Sequence, residues 1–146
     1  MAVATAPAAS YSPALLSLEA TATDPLALVM EARTGVFAKT AFDVAGVLQL
    51  HADELADLLH TTTKTLRTYR QAKKRLNPTA SERVLKLLAL ARQSDEVFGD
   101  PASFWCWLSK PAHGLGGQPP LALLQTSGGI DLVAEEVGRI AYGDLA

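Results

Sequence analysis

Apolar residues in this chain recur at helical spacing, and nowhere in the alternation that builds a half-buried strand. Asp24-Pro25 opens the first periodic segment, since Asp offers an oxygen to unpaired first-turn N–H groups and Pro fits the first helical position. That helix carries Leu26, Val29 and Met30 on one side, predicted to face inward, and stops near Gly35. A second, from about Thr40 to Leu48, turns Phe42, Ala45, Val47 and Leu48 inward. His51 to His60 follows with Leu55, Leu58 and Leu59 on its apolar side. Three threonines, 61 to 63, each able to cap a helix through the hydroxyl, then precede a helix from Lys64 to Leu76 with Leu66 and Tyr69 sharing a face. Asn77-Pro78 leads into Thr79-Ala-Ser-Glu82, a capping-box pattern, and a segment with Leu85, Leu87, Leu88, Leu90 and Ala91. A helix apolar on so many sides is predicted to be the central one.

Asp100-Pro101 repeats the Asp-Pro start. Phe104 and Leu108 share a face of the helix that follows, while Trp105 and Trp107 diverge by roughly 160°, which predicts that one of them is partly exposed. Lys110-Pro111 ends it, and Gly114, Gly116 and Gly117 permit a tight loop. Pro119-Pro120 starts a short helix, Leu121 to Leu124, that stops before Ser127-Gly128-Gly129. The last helix carries Ile130, Val133, Val137 and Ile140 as a core stripe, and Glu135 precedes Arg139 by four residues, the favourable order for a surface pair. The predicted fold class is all-α: a helix-turn-helix domain followed by a smaller helical domain. The expected boundaries are a flexible tail over 1–23, rich in Ala, Ser, Thr and Pro, then 24–94 and 95–146.

Composition sharpens this picture mainly through charge. With 49% hydrophobic and 19% charged residues the chain is globular. Its net charge of −2 conceals three blocks. Residues 1–60 carry two basic and seven acidic side chains, and residues 95–146 the same numbers. Between them, residues 61–94 hold nine basic side chains against Glu82 alone, which points to an anionic partner for the middle of the chain. Cys106 is the single cysteine, which excludes an internal disulfide framework and suits a reducing compartment. With no apolar run of membrane-spanning length and no signal or transit pattern, a cytoplasmic protein without membrane association is expected.

The short helix, tight turn and basic helix make a helix-turn-helix outline. A reading helix needs an apolar side for packing and donors for phosphates and base edges near its start. Thr62, Thr63, Lys64, Thr65, Arg67, Thr68, Arg70, Gln71 and Lys74 are the candidate DNA contacts. The cations at the far end of that helix also complement its dipole, a purely structural use. Catalysis is not expected. His51, His60 and His113 lack metal-ligand or triad spacing, Cys106 lies between two tryptophans, and Gly114-Leu-Gly-Gly117 follows no strand, so neither a metal nor a cofactor is implied.

The segment from Val97-Phe98-Gly99-Asp100 through Trp107-Leu108, Pro111, Leu115-Gly116-Gly117, Pro120-Leu121, Leu124, Thr126, Gly129 and Val133 to Arg139-Ile140-Ala141-Tyr142-Gly143 resembles the toxin-binding domain of Xre/MbcA/ParS-type antitoxins. Upstream, Thr65-Leu66, Arg75-Leu76 and Ser81-Glu82-Arg83 resemble the helix-turn-helix half of the same family. Trp105 and Gly138 depart from its pattern. The resemblance implies an antitoxin that neutralises a RES-domain, NAD-degrading toxin by blocking its active site, and that represses its own operon by binding promoter DNA. It also implies a homodimer within the toxin–antitoxin complex. Arg139, Ile140, Tyr142, Gly143 and Trp107 are the implied toxin contacts. The alternative is a stand-alone helix-turn-helix regulator whose C-terminal domain serves dimerisation.

Overall fold

The computed structural model describes residues 11–143, and among these every regular element is helical. The α-helices are α1 (Pro13–Thr23), α2 (Pro25–Thr34), α3 (Ala38–Val47), α4 (Ala52–Leu58), α5 (Thr63–Gln71), α6 (Pro78–Phe98), α7 (Pro101–Leu108) and α8 (Ser127–Ala141), with 3-10 turns at His113–Leu115 and Pro120–Leu123. None is long and apolar enough to cross a membrane.

The longest, α6, organises the rest. Val84, Leu85, Leu87, Leu88, Leu90 and Ala91 are all buried, and at 100° per residue they cover far more than one side of the helix. Accordingly α1, α2, α3, α7 and α8 all pack against it. Its cap is Asn77, whose side chain accepts from the Ala80 N–H at 2.8 Å, two residues before the capping box predicted at Thr79. Glu82 is thereby released, and accepts a 2.5 Å hydrogen bond from the Ser127 hydroxyl at the start of α8. The predicted boundary between residues 94 and 95 falls inside α6.

Four further expectations need correction. Residues 13–23, assigned to a tail, form α1; the rest of that tail, residues 1–10, lies outside the described residues. Ser12 caps this helix and Pro13 fills its first position. Leu15, Leu18 and Ala22, at i, i+3 and i+7, seat it on the core. Arg92 of α6 fixes it further, pairing with Glu19 at 3.1 Å and lying 4.8 Å from the centre of the Tyr11 ring. Tyr11 donates to Asp95 at 2.7 Å, and burial together with that carboxylate pushes its phenol well above the ordinary pKa.

On α2 the predicted face is reversed. Leu28 and Ala32 are buried, whereas Leu26, Val29 and Met30 are exposed. On α3 the buried residues include Ala38, Ala41, Val44, Ala45, Val47 and Leu48, and Phe42 is only half-buried. The basic helix α5 ends at Gln71 rather than Leu76, because the chain beyond it pairs with another segment. Lys73 takes a left-handed φ of 56°, after which Lys74 O accepts from Ala38 N and Leu76 N donates to Val36 O at 2.7 Å. Phe37 and Arg75 thus form an isolated antiparallel bridge. Beneath it, buried Ser81 accepts from Val36 N at 2.9 Å and donates to Leu76 O at 3.2 Å.

Ser81→Ala leaves two buried backbone groups without a partner and is expected to cost about 2 kcal/mol of stability. Urea unfolding measures this; a loss below roughly 0.5 kcal/mol would show that the backbone groups find other partners.

Candidate functional site

Two surfaces carry the predicted functional residues. The first is the α4–turn–α5 unit, held against α3. Glu54 accepts from the His51 N–H at 2.8 Å and closes the start of α4. The turn has no glycine, and His60 adopts the left-handed conformation that the reversal requires, at φ 56°. Its ring Nε2 lies 2.8 Å from Gln125 O, so the turn is tied to the loop before α8. Since a carbonyl only accepts, Nε2 carries the proton there.

Of the three threonines it is Thr62 that caps α5, accepting from Thr65 N at 3.1 Å. Its hydroxyl also donates to the Thr65 hydroxyl at 2.9 Å, and Thr63 donates to Asp53 at 2.6 Å. The hydroxyls of Thr62 and Thr63 therefore already hold the motif together. Leu66 is the buried residue of α5, with Tyr69 half-buried beside it. Lys64, Thr65, Arg67, Thr68, Arg70, Gln71 and Lys74 are all exposed. Arg70 lies 4.0 Å over the Phe42 ring and Lys74 lies 5.3 Å from the centre of Tyr69. Such cation–π contacts restrict long side chains without neutralising them.

The basic block is smaller on the surface than in the sequence. Lys86 pairs with Asp131 at 2.8 Å and Arg92 with Glu19, so both serve packing between helices. Arg83 is half-buried on α6, and what remains exposed is Lys64, Arg67, Arg70, Lys73, Lys74 and Arg75, all on α5 or the six residues after it. Only Arg70 lies in the last turn of α5, so the dipole explanation does not extend to Lys73, Lys74 and Arg75. Arg75 is instead held 4.1 Å over Phe37 and donates to Gly35 O at 2.7 Å.

The second surface is the end of α8. The short helix before it stops ahead of Ser127-Gly128-Gly129 as expected, and with Thr126 as cap those three residues form the first turn of α8. Gly129 is required there, because a β-carbon would overlap the Leu123 carbonyl. Ile130, Val133 and Val137 are buried as predicted, and Ile140 is half-buried. Arg139 pairs not with exposed Glu135 but with buried Glu136, one turn back, through Nε at 2.8 Å and Nη2 at 2.5 Å. The carboxylate in turn faces the loop after α7: a β-carbon on Gly114 would stand 2.5 Å from both of its oxygens. Gly114, Glu136 and Arg139 thus form a stack from loop to helix end. Beyond it Tyr142 is 88% exposed, and Gly143 takes a left-handed φ of 78°.

Trp107 belongs to a different grouping. Its ring lies 5.5 Å from Phe98 and 6.1 Å from Phe104, and among the described residues no hydrogen bond or ring contact joins it to the end of α8. Trp105 and Trp107 are both half-buried, so neither stands out as the exposed one. Sequence reasoning missed Glu136 and Gly114, because pair rules on a helix surface favour Glu135 and do not see a loop folding back onto the helix. It also missed Phe37 and Phe42 as supports for cations distant in sequence.

Comparison with known proteins divides the chain along the same lines. Residues 93–143 match the family model of the antitoxin Xre/MbcA/ParS C-terminal toxin-binding domain. Residues 27–89 match that of the antitoxin Xre-like helix-turn-helix domain. The chain is 32% identical over 111 residues to a Prs ADP-ribosylating antitoxin of Sphingobium sp. strain YBL2, covering 68% of this chain and 70% of that protein. It is 30% identical over 92 residues to antitoxin Xre of Yersinia enterocolitica, covering 60% of this chain and 62% of that protein, so less than two thirds of the latter is spanned. Its fold is similar to a chain in the crystal structure of the M. tuberculosis MbcT–MbcA toxin–antitoxin complex, with a TM-score of 0.59 over 76% of this chain and 98% of that one. At 21% identity, that likeness concerns the fold alone.

Gly114→Ala is expected to push the Glu136 carboxylate aside and destabilise the protein by about 1–3 kcal/mol, as overpacking of an ordered site does. In a double-mutant cycle, Glu136→Ala should absorb most of that penalty. Additive losses on urea unfolding would mean that the two sites do not press on each other.

Proposed function

The chain belongs to the Xre/MbcA/ParS family of antitoxins, and from that membership we propose that it neutralises a RES-domain, NAD-degrading toxin with the end of α8 and represses its own operon with α5. The observation that carries the first part is the stack of Gly114, Glu136 and Arg139 beside exposed Tyr142. A guanidinium has five N–H donors, and Glu136 engages only the Nε and Nη2 side of it. With the Arg139 side chain about half exposed, the remaining donors are left for a carboxylate in the toxin's cleft. Holding the side chain beforehand lowers the entropy lost on binding, and charge-assisted bonds strengthen once water is excluded. Tyr142 adds an aromatic anchor of the sort that dominates protein interfaces. An inhibitor of this design obstructs a catalytic centre and needs none of its own. Ile140 and Gly143 shape the same end; Trp107 acts on a separate part of the toxin surface or only within the core.

For the second part, exposed Lys64, Thr65, Arg67, Thr68 and Gln71 on α5 are the base-edge and phosphate donors, with Arg70 and Lys74 as flanking phosphate contacts. Thr62 and Thr63 shape the turn, and reach DNA through their backbone N–H groups at the start of α5. Two copies related by a two-fold axis would offer two such helices to a palindromic operator.

With purified cognate toxin, Arg139→Ala and Tyr142→Ala should each weaken inhibition of NAD consumption by roughly tenfold or more while circular dichroism stays that of the parent. Because Tyr142 is almost fully exposed, its loss has no folding consequence to confuse the result. Full inhibition by both variants would remove the end of α8 from the inhibitory site.

For promoter DNA, Lys64→Ala and Arg67→Ala should each lower affinity and reduce the slope of log K against log salt by about one. Variants that track the parent protein at every salt concentration would exclude α5 as the reading helix.

A further inference from the structure

The outward side of α8 carries one straight stripe. Gly128, Leu132, Glu135, Arg139 and Tyr142 follow at i, i+4, i+7, i+11 and i+14, and so share a face opposite buried Ile130, Val133 and Val137. All five are exposed, Leu132 by 49% although it is a large apolar residue. Gly128 has no use within the fold: a β-carbon there meets no atom within 4 Å, whereas one on Gly129 beside it overlaps the Leu123 carbonyl. A glycine inside a helix weakens it relative to alanine, and leaves the backbone bare for close approach by another molecule. Glu135 pairs with no cation among the described residues, because Arg139 is committed to Glu136.

The stripe is continuous with the end of α8, and that end is too small to hold a partner by itself. A stable protein–protein interface buries about 800 Å² on each side. One aromatic side chain supplies about 150–250 Å² of it, and Arg139 is already half covered by its own chain. From Gly128 to Tyr142 the face runs about 21 Å, a length that brings the contact to the required size. A second copy of the chain fits it poorly. Laid antiparallel over the full stripe, two α8 helices set Glu135 against Glu135 and Leu132 against Arg139, with like charges opposed and an apolar side chain on a cation.

We propose that the outward face of α8 upstream of Arg139 is the docking surface for the exterior of the toxin, and that it sets affinity while the end of the helix blocks the cleft. The toxin offers it an apolar patch for Leu132, a basic side chain for Glu135 and a segment of backbone or small residues against Gly128. This rests on the reading of the end of α8 as the inhibitory site and assigns it the surface that holds it in place.

Calorimetric titration of purified toxin with the full chain tests it, beside the assay of NAD consumption. Leu132→Asp and Gly128→Leu should each raise the dissociation constant tenfold or more, and Gly128→Ala by a smaller factor. Circular dichroism and the urea midpoint should stay those of the parent in the first two, since both positions are exposed, and the midpoint of Gly128→Ala should equal or exceed it. Glu135→Lys should weaken binding more at low salt than at high. At saturating concentration Leu132→Asp should still inhibit fully, because the end of α8 is intact. Parent affinity in both Leu132→Asp and Gly128→Leu, with inhibition lost in Arg139→Ala and Tyr142→Ala, overturns this face and leaves the reading of the helix end standing. Parent affinity and full inhibition in all four overturn both. Self-association on sedimentation that Leu132→Asp abolishes, with toxin affinity unchanged, gives the face to a second copy and overturns the proposal.

Discussion

The structure depends on the need to cover α6. A 21-residue helix with buried side chains around most of its circumference has no stable existence in water alone. Each of the helices that touch it is short and contributes one narrow stripe: Leu15 and Ala22 from α1, Leu28 and Ala32 from α2, Phe104 and Leu108 from α7, Ile130, Val133 and Val137 from α8. Polar contacts fix the register of these stripes: Glu82 with Ser127, Lys86 with Asp131, Gln93 with the Ala134 carbonyl, Arg92 with Glu19. They lie where α6 emerges between its partners, so they orient helices whose association is driven by apolar burial.

Much of this was legible in the sequence, and the failures have local causes. The central role of α6 follows from its surplus of leucines, and the stripe of α8 from regular spacing. The helix starts at Pro25 and Pro101 follow from Asp-Pro pairs. The face of α2 was misread because the larger apolar residues were assumed to be the buried ones, whereas Leu28 and Ala32 suit the close approach to α6. The first helix was hidden by a composition resembling a linker, although three small or aliphatic residues at helical spacing suffice once α6 offers a surface. The reading helix was drawn too long because helix propensity is local. The bridge between Phe37 and Arg75, which ends it, joins segments far apart in sequence.

The same contrast holds at the working surfaces. Sequence spacing located α5 and the end of α8, because caps, charge and a recurring motif mark them. It did not show what holds their side chains. Arg139 is oriented by a carboxylate buried under a loop glycine, Arg70 by a phenylalanine on α3, and the reversal before α5 by a histidine bonded to the other half of the molecule. These are three-dimensional relations, and each joins residues whose separation in the chain is set by the path of the fold and by no motif.

The continuity of α6 has a consequence for how such a protein loses its order. Both halves that the family models recognise end within this one helix, the first at residue 89 and the second beginning at residue 93. Among the described residues the junction between them is unbroken helix, with no loop separating one half from the other. Pulling on either end of the chain draws on the same buried leucines, so loss of order spreads through both halves together. Order in the two halves is thus coupled through α6, on which helices of both pack.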